Sequence, residues 1–174
     1  MRNKGISVMV EGALMVALAF GLHFIKIWQL PYGGSVTLGG MVPLLVFAFR
    51  RGPAAGITAG AAYGLLDLVV DPYVVHPAQL ILDYPLAYGI LGVAGFFKDV
   101  AMGSFAGIFG RFLSHFLSGV IFFASYAKGN VYLYSATYNG SYLLPEYVIS
   151  VLVLFMLKRT PILRDPYSLR KVKE

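Results

Sequence analysis

Five short breaks cut this chain into six apolar runs, and no other feature limits its fold so sharply. The runs cover roughly 6–27, 36–50, 53–71, 78–97, 100–126 and 139–158. A helix needs about 20 mainly apolar residues to cross a bilayer, and fewer where neighbouring helices shield its ends. The breaks carry turn signals: Pro31-Tyr-Gly-Gly34, Arg50-Arg-Gly-Pro53, Asp71-Pro72 with His76-Pro77, Lys98-Asp99, and the polar stretch Lys128 to Tyr138. The expected fold is an all-α membrane protein, a six-transmembrane-helix bundle forming a single domain over 1–174. Only 13% of the residues are charged, against about 25% in a soluble domain. That is too little polar material to cover a water-facing surface. The first run starts like a signal peptide, but it is too long for a signal core and leads into no cleavage site, so it reads as the first span.

Eleven of the fourteen Lys and Arg sit where one side of a membrane would gather them. They are Arg2 and Lys4, then Arg50, Arg51 and Lys98 in two connections, then Lys158, Arg159, Arg164, Arg170, Lys171 and Lys173. With six spans, the first segment, the connections 2–3 and 4–5 and the basic tail 159–174 all fall on one side. That places both termini in the cytoplasm of a multi-pass cell-membrane protein. The formal charge of +6 is thereby read as a topology signal, and no nucleic-acid partner is expected. There is no Cys, which excludes disulfides and Cys-based metal or nucleophile chemistry.

Ionisable residues inside a membrane cost several kcal/mol and face the bundle or a cavity. In "RFLSHFLSGVIFF" (111–123), Arg111, His115, Ser118, Gly119 and Phe122 share one helix face, while Leu113, Phe116, Leu117, Val120 and Ile121 form an apolar opposite face. The polar stripe therefore points inward, either as a structural ion pair or as part of a site. Asp83 and Tyr84 lie near the start of the fourth run; Asn139, Tyr142 and Glu146 follow i, i+3, i+7 at the start of the sixth. At 1.5 Å per residue, Asp83 lies roughly 8 Å, Glu146 roughly 10 Å and His115 roughly 16 Å below the outer boundary. Three helices thus converge in the outer half, as a pocket open outward and closed below. Acids at that level (Asp67, Asp83, Glu146) outnumber the embedded bases Lys26 and Arg111 by one. Trp28, Tyr32, Tyr73, Tyr126 and other aromatics lie at the same level, as an interfacial belt or as the wall of a site for a flat organic cation.

The small pairs Gly56, Gly60, Gly64 and Ala13, Ala17 allow close helix approach, the first within the bundle, the second within it or against another membrane protein. No P-loop, H-E-x-x-H or G-x-S-x-G occurs. No metal or other cofactor and no catalytic residue is expected. Two further classes stay open: a self-contained ion-coupled secondary transporter of a small organic cation, and a membrane enzyme using His115 as a base.

Four segments carry a resemblance. "GGSVTLGGMVPLLVFAFRRGPAAG" (33–56), "HPAQLILDYPLAY" (76–88), "RFLSHFLSGVIFFASYAKG" (111–129) and "YSATYNGSYLLPE" (134–146) resemble, in order, the thiamine-specific substrate-binding component of energy-coupling-factor (ECF) transporters. The resemblance implies a six-helix bundle that captures thiamine from outside and works with a transmembrane coupling (T) subunit and two ABC ATPase subunits. It puts the acidic ligand on Asp83 with Tyr84 beside it, the basic position on Arg111 and the histidine on His115. The small residue falls on Gly119, the aromatic wall on Phe123, and the tyrosine and asparagine on Tyr134 and Asn139. Tyr142 and Glu146 complete the expected binding set. Ala13 and Ala17 match the family's contact with the coupling subunit. Some members have Glu at Asp83, Lys at Arg111 and Trp at Phe123, so reach and cation–π strength differ here.

Overall fold

The computed structural model describes residues 4–163; Arg2 and the part of the basic tail from 164 onward lie outside the described residues. Six helices and one short hairpin build it. α1 (Lys4–His23) leads into β1 (Lys26–Gln29) and β2 (Ser35–Thr37), followed by α2 (Val42–Arg51) and α3 (Pro53–Val70). α4 (Pro77–Phe96), α5 (Val100–Phe122) and α6 (Val131–Lys158) complete the bundle. α5 packs on α6, α3 on α4, and α1 on both α2 and α3.

α2 sits at the centre and is too short to span. Its ten residues reach about 15 Å, half the ~30 Å hydrocarbon core. Val42 through Ala48 are all buried, and Leu44 and Leu45 join Leu91 and Leu154 in the deepest core. The hairpin leads into α2, and its strands pair antiparallel with Trp28 opposite Val36 and Gln29 opposite Ser35. Its tip turns at Tyr32 (φ 67°) and Gly33 (φ 97°). Non-helical backbone at membrane depth survives only where protein satisfies its polar groups. Here a carboxylate oxygen of Glu146 accepts from both the Thr37 backbone N–H and the Thr37 hydroxyl, the latter at 2.6 Å.

Several boundaries differ from the sequence expectation, each for a local reason. The first helix stops at His23 rather than 27, and the second begins at Val42 rather than 36, because the residues between form the hairpin. The fifth ends at Phe122 rather than 126, running into a tight turn over Ala124–Tyr126. The sixth starts at Val131 rather than 139: Asn130 caps it by accepting from Leu133 N–H at 3.0 Å. Polarity alone does not end a helix at the water boundary.

The glycine stripe of α3 seats α4. A Cβ at Gly60 would lie 2.2 Å from the Tyr88 carbonyl oxygen and one at Gly64 2.4 Å from that of Tyr84, so the two backbones touch. At the opposite end from the hairpin, Glu11 of α1 pairs with Arg50 at 2.6 Å and with Arg51. Arg50 also donates to the carbonyl of Ile162, just past α6. The start of α1 and the end of α6 therefore lie at one end of the bundle, together with two of the basic residues read as a topology signal.

Candidate substrate-binding site

Asp83 owes its position to a loosened turn. Pro85 lies inside α4, where its ring removes an N–H and crowds the preceding turn; residues Leu82–Leu86 widen into a π-helical turn there. Ser114 of α5 donates to the Leu82 carbonyl at 2.6 Å, giving the disturbed backbone a partner. The turn aims Asp83 across at α5.

Three donors converge on that carboxylate. Gln79, one turn back on α4, donates to Oδ2 at 2.6 Å and Ser118 of α5 donates to the same oxygen at 2.8 Å. Nδ1 of His115 lies 2.9 Å from Oδ1. On its other side, Nε2 of His115 lies 3.2 Å from Nε of Arg111, whose guanidinium covers the Tyr88 ring at 3.9 Å. α6 adds Asn139 and Tyr142: the Tyr142 hydroxyl donates to Asn139 Oδ1 at 2.9 Å, and Asn139 Nδ2 donates to the Ser135 carbonyl at 2.9 Å and to the His115 carbonyl at 3.3 Å. The inward polar stripe of α5 is thus one side of a real enclosure, and Leu113, Leu117 and Ile121 face outward.

These residues line a cavity of about 440 Å³, within the ~300–1,000 Å³ typical of small-molecule sites. Its walls include Asp83, Tyr84, Arg111, His115, Gly119, Phe123, Tyr134, Asn139 and Tyr142, so nine of the ten residues expected to bind ligand meet there. Glu146 does not. It is 3% exposed, faces a small separate recess beneath Arg111, and holds the hairpin through Thr37. Its i+7 spacing from Asn139 put it on the right face but one level too deep.

Gly119 has a second role. A Cβ there would meet Ser135 Oγ at 2.2 Å, so the glycine lets α5 and α6 touch as well as leaving the wall thin. At the mouth, Tyr73 stacks on Phe123 (5.9 Å) and Tyr32 packs on Tyr126 at 4.6 Å. The Tyr126 hydroxyl bonded to Tyr73 pushes the Tyr73 phenol up to about 12. Tyr138 of α6 fastens the hairpin tip, its hydroxyl accepting from Gly34 N–H at 3.0 Å and donating to the Pro31 carbonyl. On the α1–α3 side, His23 Nδ1 lies 3.4 Å from Asp67 and Lys26 pairs with Asp71 at 3.1 Å.

Gln79, Tyr88 and His23 escaped the sequence reading. Gln79 carried a usable signal, since it stands one helical turn before Asp83 in the same quoted segment. Tyr88 and His23 read as ordinary helix residues.

The geometry can be set beside known proteins. The family model described as "Thiamine transporter protein" matches residues 9–163. Thiamine transporter ThiT of Bacillus subtilis (strain 168) is 33% identical over 91% of this chain and 94% of its own length. Thiamine transporter ThiT of Lacticaseibacillus paracasei is 33% identical over 90% of this chain and 89% of its own. A solved structure of ThiT from Listeria monocytogenes superposes with a TM-score of 0.82 at 28% identity, covering 93% of this chain and all of that one. Matched in sequence along nearly its whole length and in the path of its backbone, the chain belongs to the thiamine transporter family and is a multi-pass protein of the cell membrane.

Proposed function

We propose that this chain captures thiamine from the outer side of the membrane as the substrate-binding component of an ECF transporter. A separate coupling subunit and two ATPase subunits supply the movement. The carrying observation is the Asp83 carboxylate, held by three donors at the wall of an aromatic-rimmed cavity. A carboxylate offers about four lone-pair directions, so one stays open for an N–H of the ligand's aminopyrimidine. The rings of Tyr73, Phe123 and Tyr126 suit the thiazolium by cation–π contact. Asn139 keeps one acceptor direction on Oδ1 for the other edge of the ligand.

Several features support the division of labour. The sequence has no P-loop, so ATP hydrolysis belongs to partners. Ala13 and Ala17 lie on an uncovered face of α1, where a coupling subunit can approach closely. Arg50, Arg51 and Lys98 gather at the end away from the cavity mouth, which orients that mouth outward. The enzyme reading loses ground, because both nitrogens of His115 are engaged and neither is free to take a proton from a substrate.

Purified protein titrated with thiamine, riboflavin and biotin tests the proposal. Thiamine is expected to bind with Kd below about 1 µM and without turnover. Asp83→Asn is expected to weaken it at least tenfold, about 1.4 kcal/mol; unchanged affinity would sink the role of Asp83. Thiamine accumulation by the chain alone in vesicles bearing an ion gradient would instead establish the secondary transporter.

A further inference from the structure

We infer that Arg111 is a positioning residue: it fixes the tautomer of His115, and through it the single open direction of Asp83, without touching the ligand. The argument is one of donors and acceptors. A guanidinium only donates, so His115 Nε2, 3.2 Å from Arg111 Nε, must be the acceptor. A neutral imidazole then carries its proton on Nδ1, 2.9 Å from Asp83 Oδ1, and donates it there. Gln79 and Ser118 already fill Oδ2. What remains to the ligand is the second lone pair of Oδ1, whose direction depends on where the imidazole stands.

Arg111 suits this task because it is itself fixed. Its Cζ lies over the Tyr88 ring at 3.9 Å from the centroid, and a planar guanidinium held there keeps its Nε–H direction better than a flexible ammonium would. It also keeps the imidazole neutral. A second proton would have to sit on Nε2, facing a guanidinium N–H and its positive charge. The ionisable groups around His115 are Arg111 on its own helix, Asp83 on α4, Tyr142 on α6 with its ring 6.2 Å away, and Asp67 on α3. With Arg111 removed, the carboxylates are left to draw a proton onto Nε2. The resulting imidazolium would neutralise Asp83 and repel a thiazolium.

Three histidines in the chain make the test direct. Full-length protein labelled with ¹⁵N-histidine is followed by NMR, His115 being assigned with His115→Asn. The expected wild-type signal has the proton on Nδ1 and does not change between about pH 5 and about pH 8. In Arg111→Met, His115 is expected to titrate or to mix tautomers. Thiamine Kd is expected to rise about tenfold at neutral pH and further as the pH falls, while wild-type Kd stays flat. A wild-type proton on Nε2, a wild-type His115 that titrates in this range, or an Arg111→Met protein with an unchanged spectrum would overturn the inference. The wild-type spectrum can overturn the inference even if the variant does not fold, and only the variant's spectrum separates Arg111 from Asp83 as the cause of the Nδ1 tautomer. Only the affinity arm rests on the thiamine reading: wild-type protein that shows the Nδ1 tautomer but binds no thiamine would refute that reading alone.

Discussion

At Gly119 the two helices that carry most of the site meet, the Ser135 side chain of α6 filling the space a side chain would need. An alanine there would place its methyl 2.2 Å from Ser135 Oγ and 3.0 Å from Ser135 Cβ. Ser135 is itself buried and tied to the Phe116 carbonyl at 2.8 Å, so it cannot swing aside without losing that bond. Gly119→Ala is expected to cost about 1–3 kcal/mol of stability, read as a lower midpoint of thermal unfolding in detergent. Gly119→Ala with Ser135→Ala should recover part of the loss, because the nearest clash is with the hydroxyl. An unchanged midpoint without ligand, together with weaker ligand binding, would show instead that the glycine serves only ligand access. At this scale much was legible. Arg111, His115, Ser118 and Gly119 declared their shared face by spacing alone, since a charge in hydrocarbon has few places to go. Tyr88 did not, because a tyrosine that lies under a guanidinium looks in sequence like any other interfacial aromatic.

Among the elements, the hairpin of β1 and β2 is the one periodicity could not reveal. Its strands are four and three residues long, too short for an alternating pattern to stand out from an apolar run. Its stability comes from elsewhere in the chain. α6 holds it twice, through Tyr138 at the tip and Glu146 at the foot, and those contacts span more than a hundred residues of sequence. Lys26 at its start pairs with Asp71, just past the end of α3, at 3.1 Å, so the hairpin's first strand is pinned as well. Glu146→Leu would leave the Thr37 N–H buried without an acceptor, at a cost of about 1–3 kcal/mol. The expected outcome is faster amide hydrogen exchange confined to residues 26–40, with α5 and the outer part of α6 unchanged. Trp28, the chain's one tryptophan, lies on β1 and gives an independent fluorescence report. Uniform loss of protection across the bundle would mean that Glu146 supports the whole fold rather than the hairpin. The reading of 128–138 as a connection failed for a related reason. Composition reports wetness, whereas helix onset was decided by one capping side chain, Asn130.

For the whole molecule the physical question is which way the cavity faces, and the charges bear on it together. Arg50 and Arg51 close on Glu11, with Arg50 also reaching Ile162, so the basic residues form one structural end rather than a scatter of loop charges. Lys98 sits in the connection between α4 and α5, which reaches the same end, since Gly95 packs against Gly52 and Pro53. Lys and Arg in short connections are retained in the cytoplasm during insertion, so this end is expected inside and the aromatic mouth outside. The chain has no native Cys, so each introduced thiol reports alone. Lys98 and Lys128 are both exposed and stand at opposite ends of α5. A membrane-impermeant maleimide on intact cells is expected to label Lys128→Cys and to spare Lys98→Cys until the membrane is permeabilised. The reverse pattern would turn the cavity toward the cytoplasm. Asp83 and its three donors would then face a pool from which nothing needs to be captured, and uptake from outside would lose its structural basis whatever the affinity for thiamine.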